Sequence, residues 1–120
     1  MTPMRAILAY LGGVEAHQRQ GAVRPSGLRL RYLGGHPGIP APGTFWVERV
    51  GDRLRLEACE GQVCYDLLLG RIWGLIRQLD GRLVMRYEPT PGLMAWIQFQ
   101  SPGGGADAYL MLARLMSRGA

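Results

Sequence analysis

The stretch Leu28–Leu56, LRLRYLGGHPGIPAPGTFWVERVGDRLRL, decides how this chain folds. Leu28, Leu30 and Tyr32 alternate with Arg29 and Arg31, the period of a half-buried strand. The loop that follows carries Pro37, Pro40 and Pro42, whose missing amide donors keep it out of a sheet interior. Thr44–Val50, Gly51-Asp52 and Arg53–Cys59 then read as a tight hairpin, with glycine at the first central position of a type II′ turn. Setting Val50 opposite Arg53 puts Val47 against Leu56, Phe45 against Ala58 and Arg49 against Leu54. The other face then pairs Glu48 with Arg55 and Trp46 with Glu57. A slip of one residue would turn every one of these side chains to the wrong side, so the apolar pattern sets the register.

Further along, a turn at Gly61-Gln62 pairs Leu56 with Leu67, Ala58 with Tyr65 and Leu54 with Leu69. It also sets Cys59 opposite Cys64 and Glu57 opposite Asp66 on the outer face. After a short turn around Arg71-Ile72-Trp73, a strand is expected over Leu75–Leu79. The Asp80-Gly81 hairpin pairs Ile76 with Met85 and Gln78 with Leu83, Tyr87 extending the same face. Beyond Pro89–Gly92, Leu93, Ala95, Ile97 and Phe99 alternate with Met94, Trp96, Gln98 and Gln100. Ala106–Arg118 is the strongest helix pattern, with Leu110, Leu112, Leu115 and Met116 as its apolar content and Tyr109 and Met111 widening the stripe. Asp107 in its first turn and Arg114 and Arg118 in its last complement the helix dipole.

Residues 1–26 form a leader and residues 27–120 the domain. Thr2-Pro3 is a helix start, Ile7, Leu8 and Leu11 give a short apolar stripe, and Gly12-Gly13 ends it. Residues 14–26 are polar and without a period. A helix packed on the domain, an arm reaching a neighbouring subunit and an unordered segment all stay open.

At 120 residues and 13.3 kDa, the chain has room for one core. Hydrophobic residues make up 48% and the mean hydropathy is −0.01, outside the disordered and membrane-spanning classes. No apolar run approaches a bilayer crossing, and residues 1–14 lack the cleavage pattern of a signal peptide, which gives a cytoplasmic expectation. The net charge is +5 and all 14 basic residues are arginine. They are dispersed, without the basic run that marks a nucleic-acid patch, so no specific nucleic-acid partner is expected.

The segment Tyr32-Leu33-Gly34-Gly35-His36-Pro37, followed by Pro42-Gly43-Thr44, resembles the opening of bacterial PH-like or GRAM-like domains. The resemblance covers residues 27 to about 118. It implies a mainly β fold with a C-terminal helix: a split barrel of seven antiparallel strands in two nearly orthogonal sheets, one end plugged by the helix. It implies a binding module for lipids, peptides or further copies of the same chain, and the fold alone selects none of these.

The chemistry-bearing residues are sparse. His17 and His36 are isolated from any thiol or paired carboxylate, which leaves no general-base arrangement. Cys59 and Cys64 lack the further ligands that zinc requires; a cross-strand disulfide fits the expected register, and free thiols fit a reducing compartment. Gly103-Gly104-Gly105 precedes a helix but is not followed by the Lys-Ser/Thr of a phosphate loop. The reading is therefore non-catalytic, with no metal, no cofactor and no small-molecule substrate.

Trp46 and Trp96, with Met94, Val84, Leu75 and Leu79, put apolar bulk on faces that should meet water, and such a patch marks an interface. The competing reading is that Ile7, Leu8 and Leu11 of the leader cover it. Arg29, Arg31, Arg53 and Arg55 are the candidates for an anionic membrane surface, which would make the protein peripheral at the inner membrane face. In phosphoinositide-binding PH domains the basic cluster lies around the loop after the first strand, which here holds His36 and no arginine. The resulting expectation is a module that binds protein, foremost a second copy of itself, with peripheral lipid binding as the alternative.

Overall fold

The computed structural model describes residues 14–18, 27–61, 63–103 and 105–117. They form strands β1 (Val14–Gln18), β2 (Leu28–Gly34), β3 (Gly43–Val50), β4 (Arg53–Ala58) and β5 (Val63–Leu68), then a 3₁₀ turn at Leu69–Arg71. Strands β6 (Ile72–Arg77), β7 (Arg82–Thr90) and β8 (Leu93–Gln100) and helix α1 (Ala106–Ser117) complete the order. All neighbours in the sheet are antiparallel, in the sequence β1-β5-β4-β3-β2-β8-β7-β6. The ends β1 and β6 are not paired with each other, so the sheet is open. Seven strands lie beyond residue 27, the expected number; the eighth, β1, comes from the polar stretch that showed no period. The helix start at Thr2-Pro3 and the stripe Ile7, Leu8 and Leu11 lie outside the described residues.

Strand β2 joins the two runs of meander strands, pairing with β3 on one side and β8 on the other. Its alternation is realised: Leu28, Leu30 and Tyr32 are buried and Arg29 and Arg31 exposed. The β3–β4 hairpin has the expected register at all six pairs, from Phe45↔Ala58 to Val50↔Arg53. Gly51 takes φ 62° at the first central position, as the type II′ turn needs.

Two registers differ from expectation. The β4–β5 pairs are Leu54↔Leu67, Arg55↔Asp66, Leu56↔Tyr65 and Glu57↔Cys64, two residues from the expected set. An even shift preserves the faces, so Leu54, Leu56, Tyr65 and Leu67 are still buried together. It moves Cys64 away from Cys59, and both cysteines are free thiols, Cys59 exposed and Cys64 buried. It also replaces the expected Glu57–Asp66 repulsion by an ion pair: Arg55 Nε and a terminal guanidinium nitrogen donate to the two oxygens of buried Asp66 at 2.8 and 3.1 Å.

The β6–β7 hairpin is shifted by one. The pairs are Leu75↔Met85, Ile76↔Val84 and Arg77↔Leu83, where Ile76 had been expected against Met85. The loop is three residues long: Gly81 N–H donates to Gln78 O, Gln78 N–H to Arg82 O, and Gly81 takes φ 82°. That is a turn followed by a left-handed residue, which adds one residue to the two-residue hairpin the Asp-Gly signal suggested. An odd shift reverses faces, so Leu75 packs on the core and Ile76 points out. The strand also begins earlier than expected, at Ile72, with an irregularity at Trp73.

The inner face gathers Leu28, Leu30, Tyr32, Phe45, Val47, Leu54, Leu56, Leu67, Leu83, Met85, Tyr87, Ile97 and Phe99. Helix α1 contributes buried Ala108 and Leu112, with Tyr109, Leu115 and Met116 packed on the same core. Leu110 and Met111, expected in the apolar stripe, face outward, because the buried stripe follows the i, i+4, i+7/8 line through residue 108. Arg49 of β3 donates to Leu115 O at 3.0 Å and so holds one of the orphan carbonyls at the helix end. Tyr87 Oη accepts the Leu68 N–H at 3.2 Å, tying β7 to the end of β5 where β5 and β6 part.

Leu112→Ala should lower the unfolding free energy by about 2–5 kcal/mol, since it opens a cavity in the core. Leu110→Ala, at a side chain 57% exposed, should stay within about 0.5 kcal/mol of the parent. Urea unfolding checks both, and equal losses would contradict the orientation of α1.

Candidate functional site

The outer face of β6, β7 and β8 groups three of the large apolar side chains that meet water, Trp73, Ile76 and Trp96. Cross-strand rows define it: Gly74, Arg86 and Trp96 share one row, and Ile76, Val84 and Gln98 the next. Trp73 lies beside the first row at the irregularity of β6, and Met94 precedes Trp96 by two residues on β8. Trp73 is 60% exposed, Trp96 49% and Ile76 44%; Val84 is buried beneath them. Gly74 leaves a gap in the first row, where an added Cβ would meet only Arg86 Cδ at 3.9 Å.

Polar contacts hold this face in shape. The Arg86 guanidinium lies 5.3 Å from the Trp96 ring centre, a cation–π pair across β7 and β8. Trp73 Nε1 donates to Glu88 Oε1 at 3.3 Å, and Gly92 N–H donates to Glu88 Oε2 at 2.8 Å, so one carboxylate ties Trp73 to the β7–β8 turn. Arg82 donates to the Gln98 side-chain oxygen at 3.3 Å.

Of the interface residues read from the sequence, Trp96, Met94 and Val84 belong to this face. Trp46 does not. It pairs with Arg29 on β2, whereas Trp96 lies two residues past Gln98, the partner of Gly34. The two indoles are thus roughly 20 Å apart along the strand direction at ~3.3 Å per residue. Trp46 is half-buried, with the Arg29 guanidinium 5.6 Å from its ring centre. Leu75 packs inward and Leu79 stands fully exposed at the hairpin tip. Trp73 and Ile76 were missed as interface residues: the first was read as part of a turn, and the second was assigned to the core by the one-residue register error. Ile7, Leu8 and Leu11 lie outside the described residues.

The four candidate arginines do not form a cationic cluster. Arg55 is held by Asp66, with Glu48 its cross-strand neighbour on the other side; Arg53 lies 3.8 Å from the exposed Asp52 carboxylate; and Arg29 stacks on Trp46. Arg31 projects from the outer face of β2 opposite Thr44 and Gln100.

The Tyr32–Pro37 segment builds the corner beside Trp96. Gly35 has φ 111°, and a Cβ there would lie 2.0 Å from Trp96 O, so only glycine fits against the β8 backbone. Tyr32 Oη accepts the His36 N–H at 3.0 Å and faces the carbonyls of His36 and Ile39 at 3.3 Å, either of which can take its proton. The His36 ring is buried against Tyr87, ring centres 5.2 Å apart, and its Nδ1 accepts the Gly38 N–H at 2.8 Å. That acceptor role assigns the neutral ring's proton to Nε2, which is buried and meets no hydrogen-bond partner among the described residues. The contacts of His36 are thus those of a residue packed into the corner: the Tyr87 ring, the Gly38 amide and the Tyr32 phenol.

Among the described residues, no three His, Cys, Asp or Glu side chains converge as metal ligands. Among the same residues, no helix is long and apolar enough to cross a membrane. Comparison with protein-family models, with curated proteins and with solved structures finds no match to this chain.

Burial lowers the His36 pKa from 6.5 to about 4. The unfolded chain therefore takes up this proton at a higher pH than the folded one. The stability linked to His36 is complete above pH 6.5, falls as the pH drops from 6.5 toward about 4, and levels off below. The loss is on the order of 3 kcal/mol. His36→Asn keeps an acceptor for Gly38 and does not titrate, so it should flatten this part of the profile; urea unfolding across that window giving the parent's slope would contradict the assignment.

Proposed function

We propose that the chain is a non-catalytic PH-like binding module whose ligand is protein, foremost a second copy of itself, taken up on the outer face of β6–β8. The observation that carries this reading is the grouping of Trp73, Trp96 and Ile76, all substantially exposed, on β6 and β8, the strands on either side of β7, around the gap at Gly74. Large aromatic side chains fixed in place by neighbours, with an arginine at the centre, are the composition of interface hot spots. The PH-like assignment draws support from the strand order beyond β1. Four meander strands and three meander strands meet at β2–β8, and a terminal helix packs on the shared core.

The alternative, an anionic-membrane module, draws on the charge of +5. It is the weaker reading, because Arg55 is committed to Asp66, Arg29 to Trp46, and the Gly35–Pro42 loop holds no arginine.

Sedimentation across a range of protein concentrations tests the proposal. Self-association is expected, and replacing Trp73 and Trp96 together by serine should weaken it about tenfold or more, the size of a hot-spot truncation. A strictly monomeric parent would overturn the self-association, and binding to anionic vesicles at low salt that Arg29→Ala and Arg31→Ala abolish would put the lipid reading in its place.

A further inference from the structure

We infer that the second copy docks through the free edge of β6, the two β6 strands pairing antiparallel about Leu75. The inference rests on the protein-binding reading above and names its contact.

Among the described residues, strand β6 is the end of the sheet, paired with β7 on one side only. Gln78 N–H donates to Arg82 O, which fixes the alternation of the ladder. Counting back from that bond, Gly74 and Ile76 direct their backbone groups toward β7, whereas Leu75 and Arg77 direct theirs to the open side. The edge Ile72–Arg77 holds no proline; its one charge, Arg77, stands at the last position and its irregularity, at Trp73, near the first, so the stretch Gly74–Ile76 between them carries none of the usual blocks of such a strand. Donors and acceptors of this kind are satisfied by an added strand.

The register that places Leu75 opposite its own copy is self-complementary. On the inner side the two half-buried Leu75 side chains meet, extending each core by one contact. On the outer side Gly74 of one copy faces Ile76 of the other, twice. The side chain that is exposed in one copy thus enters the gap in the other, beside Trp73. The outer rows become continuous across the two-fold axis: Trp96, Arg86 and Gly74 run on into Ile76, Val84 and Gln98 of the second copy. Shifting the pairing by two residues loses the fit of Ile76 over Gly74. Shifting it by one turns outer side chains toward the core side.

Amide hydrogen exchange on the full chain at low and high protein concentration, together with sedimentation, tests this. Exchange at Leu75 and Arg77 should slow as the concentration rises, while that at Gly74 and Ile76, already bonded to β7, should stay constant. Gly74→Leu fills the gap and should weaken association about tenfold or more, the effect of overpacking a closed contact. The monomer should still fold, since an added Cβ makes only an ordinary contact there. A chain that associates while Leu75 and Arg77 exchange at a concentration-independent rate overturns the edge contact and leaves the protein-binding reading standing. A chain that stays monomeric overturns the edge contact and self-association together. A folded Gly74→Leu variant that associates as the parent does also overturns the edge contact.

Discussion

The structure depends on the corner at the end of β2. Among the described residues this is the strand through which the two runs of meander strands pair, and to do so it must leave β3, follow β8 and give way to a loop within a few residues. Its register shifts between Tyr32 and Gly34, and Gly34 and Gly35 carry φ values of 134° and 111°. The Tyr32 phenol then closes the corner from inside, meeting the backbone of His36 and Ile39 while its ring packs against Phe45 and Phe99, one from each neighbouring strand. One side chain therefore couples β3, β8 and the loop. The Tyr87 ring packs on His36 of the same corner, and its phenol accepts the Leu68 amide at the end of β5.

Where the chain was legible, two independent constraints agreed. At β3–β4 a two-residue turn and a strict apolar alternation give the same register, and all six pairs follow. At β4–β5 the alternation is equally clear but the turn length is not, and an alternation of period two cannot detect a shift of two. The faces therefore came out right while the partners of Cys64 and Asp66 did not. At β6–β7 the apolar residues Leu75, Ile76 and Leu79 fit either face. The Asp-Gly signal favours a two-residue loop, and the longer loop around Gly81 reverses the strand.

That error bears directly on function. Reversing β6 hides Ile76 in the core and sets Leu75 on the surface in its place. The remaining tryptophans, Trp46 and Trp96, then look like a pair when they lie at different ends of β2. The register places Trp73 and Ile76 on β6 and Trp96 on β8, on the same face across β7, a grouping of residues 73 to 96 that only the hairpin geometry brings together. One signal was available in the sequence: Gly74 between two apolar pairs is a poor choice for a strand interior unless something approaches closely there. The cross-strand Arg29–Trp46 pair was readable as well, but the expectation stopped at the outward direction of both side chains.

The claim that the β2 corner holds the two runs of strands as one unit is tested most directly by Tyr32→Phe, which removes a single oxygen and leaves the aromatic packing in place. Urea unfolding followed by tryptophan fluorescence and by backbone circular dichroism should show one coincident transition in the parent. In the variant it should be shifted by about 1–3 kcal/mol, the cost of leaving the buried His36 amide without its acceptor. A variant with the parent's stability, or a parent whose two probes report separate transitions, would contradict it.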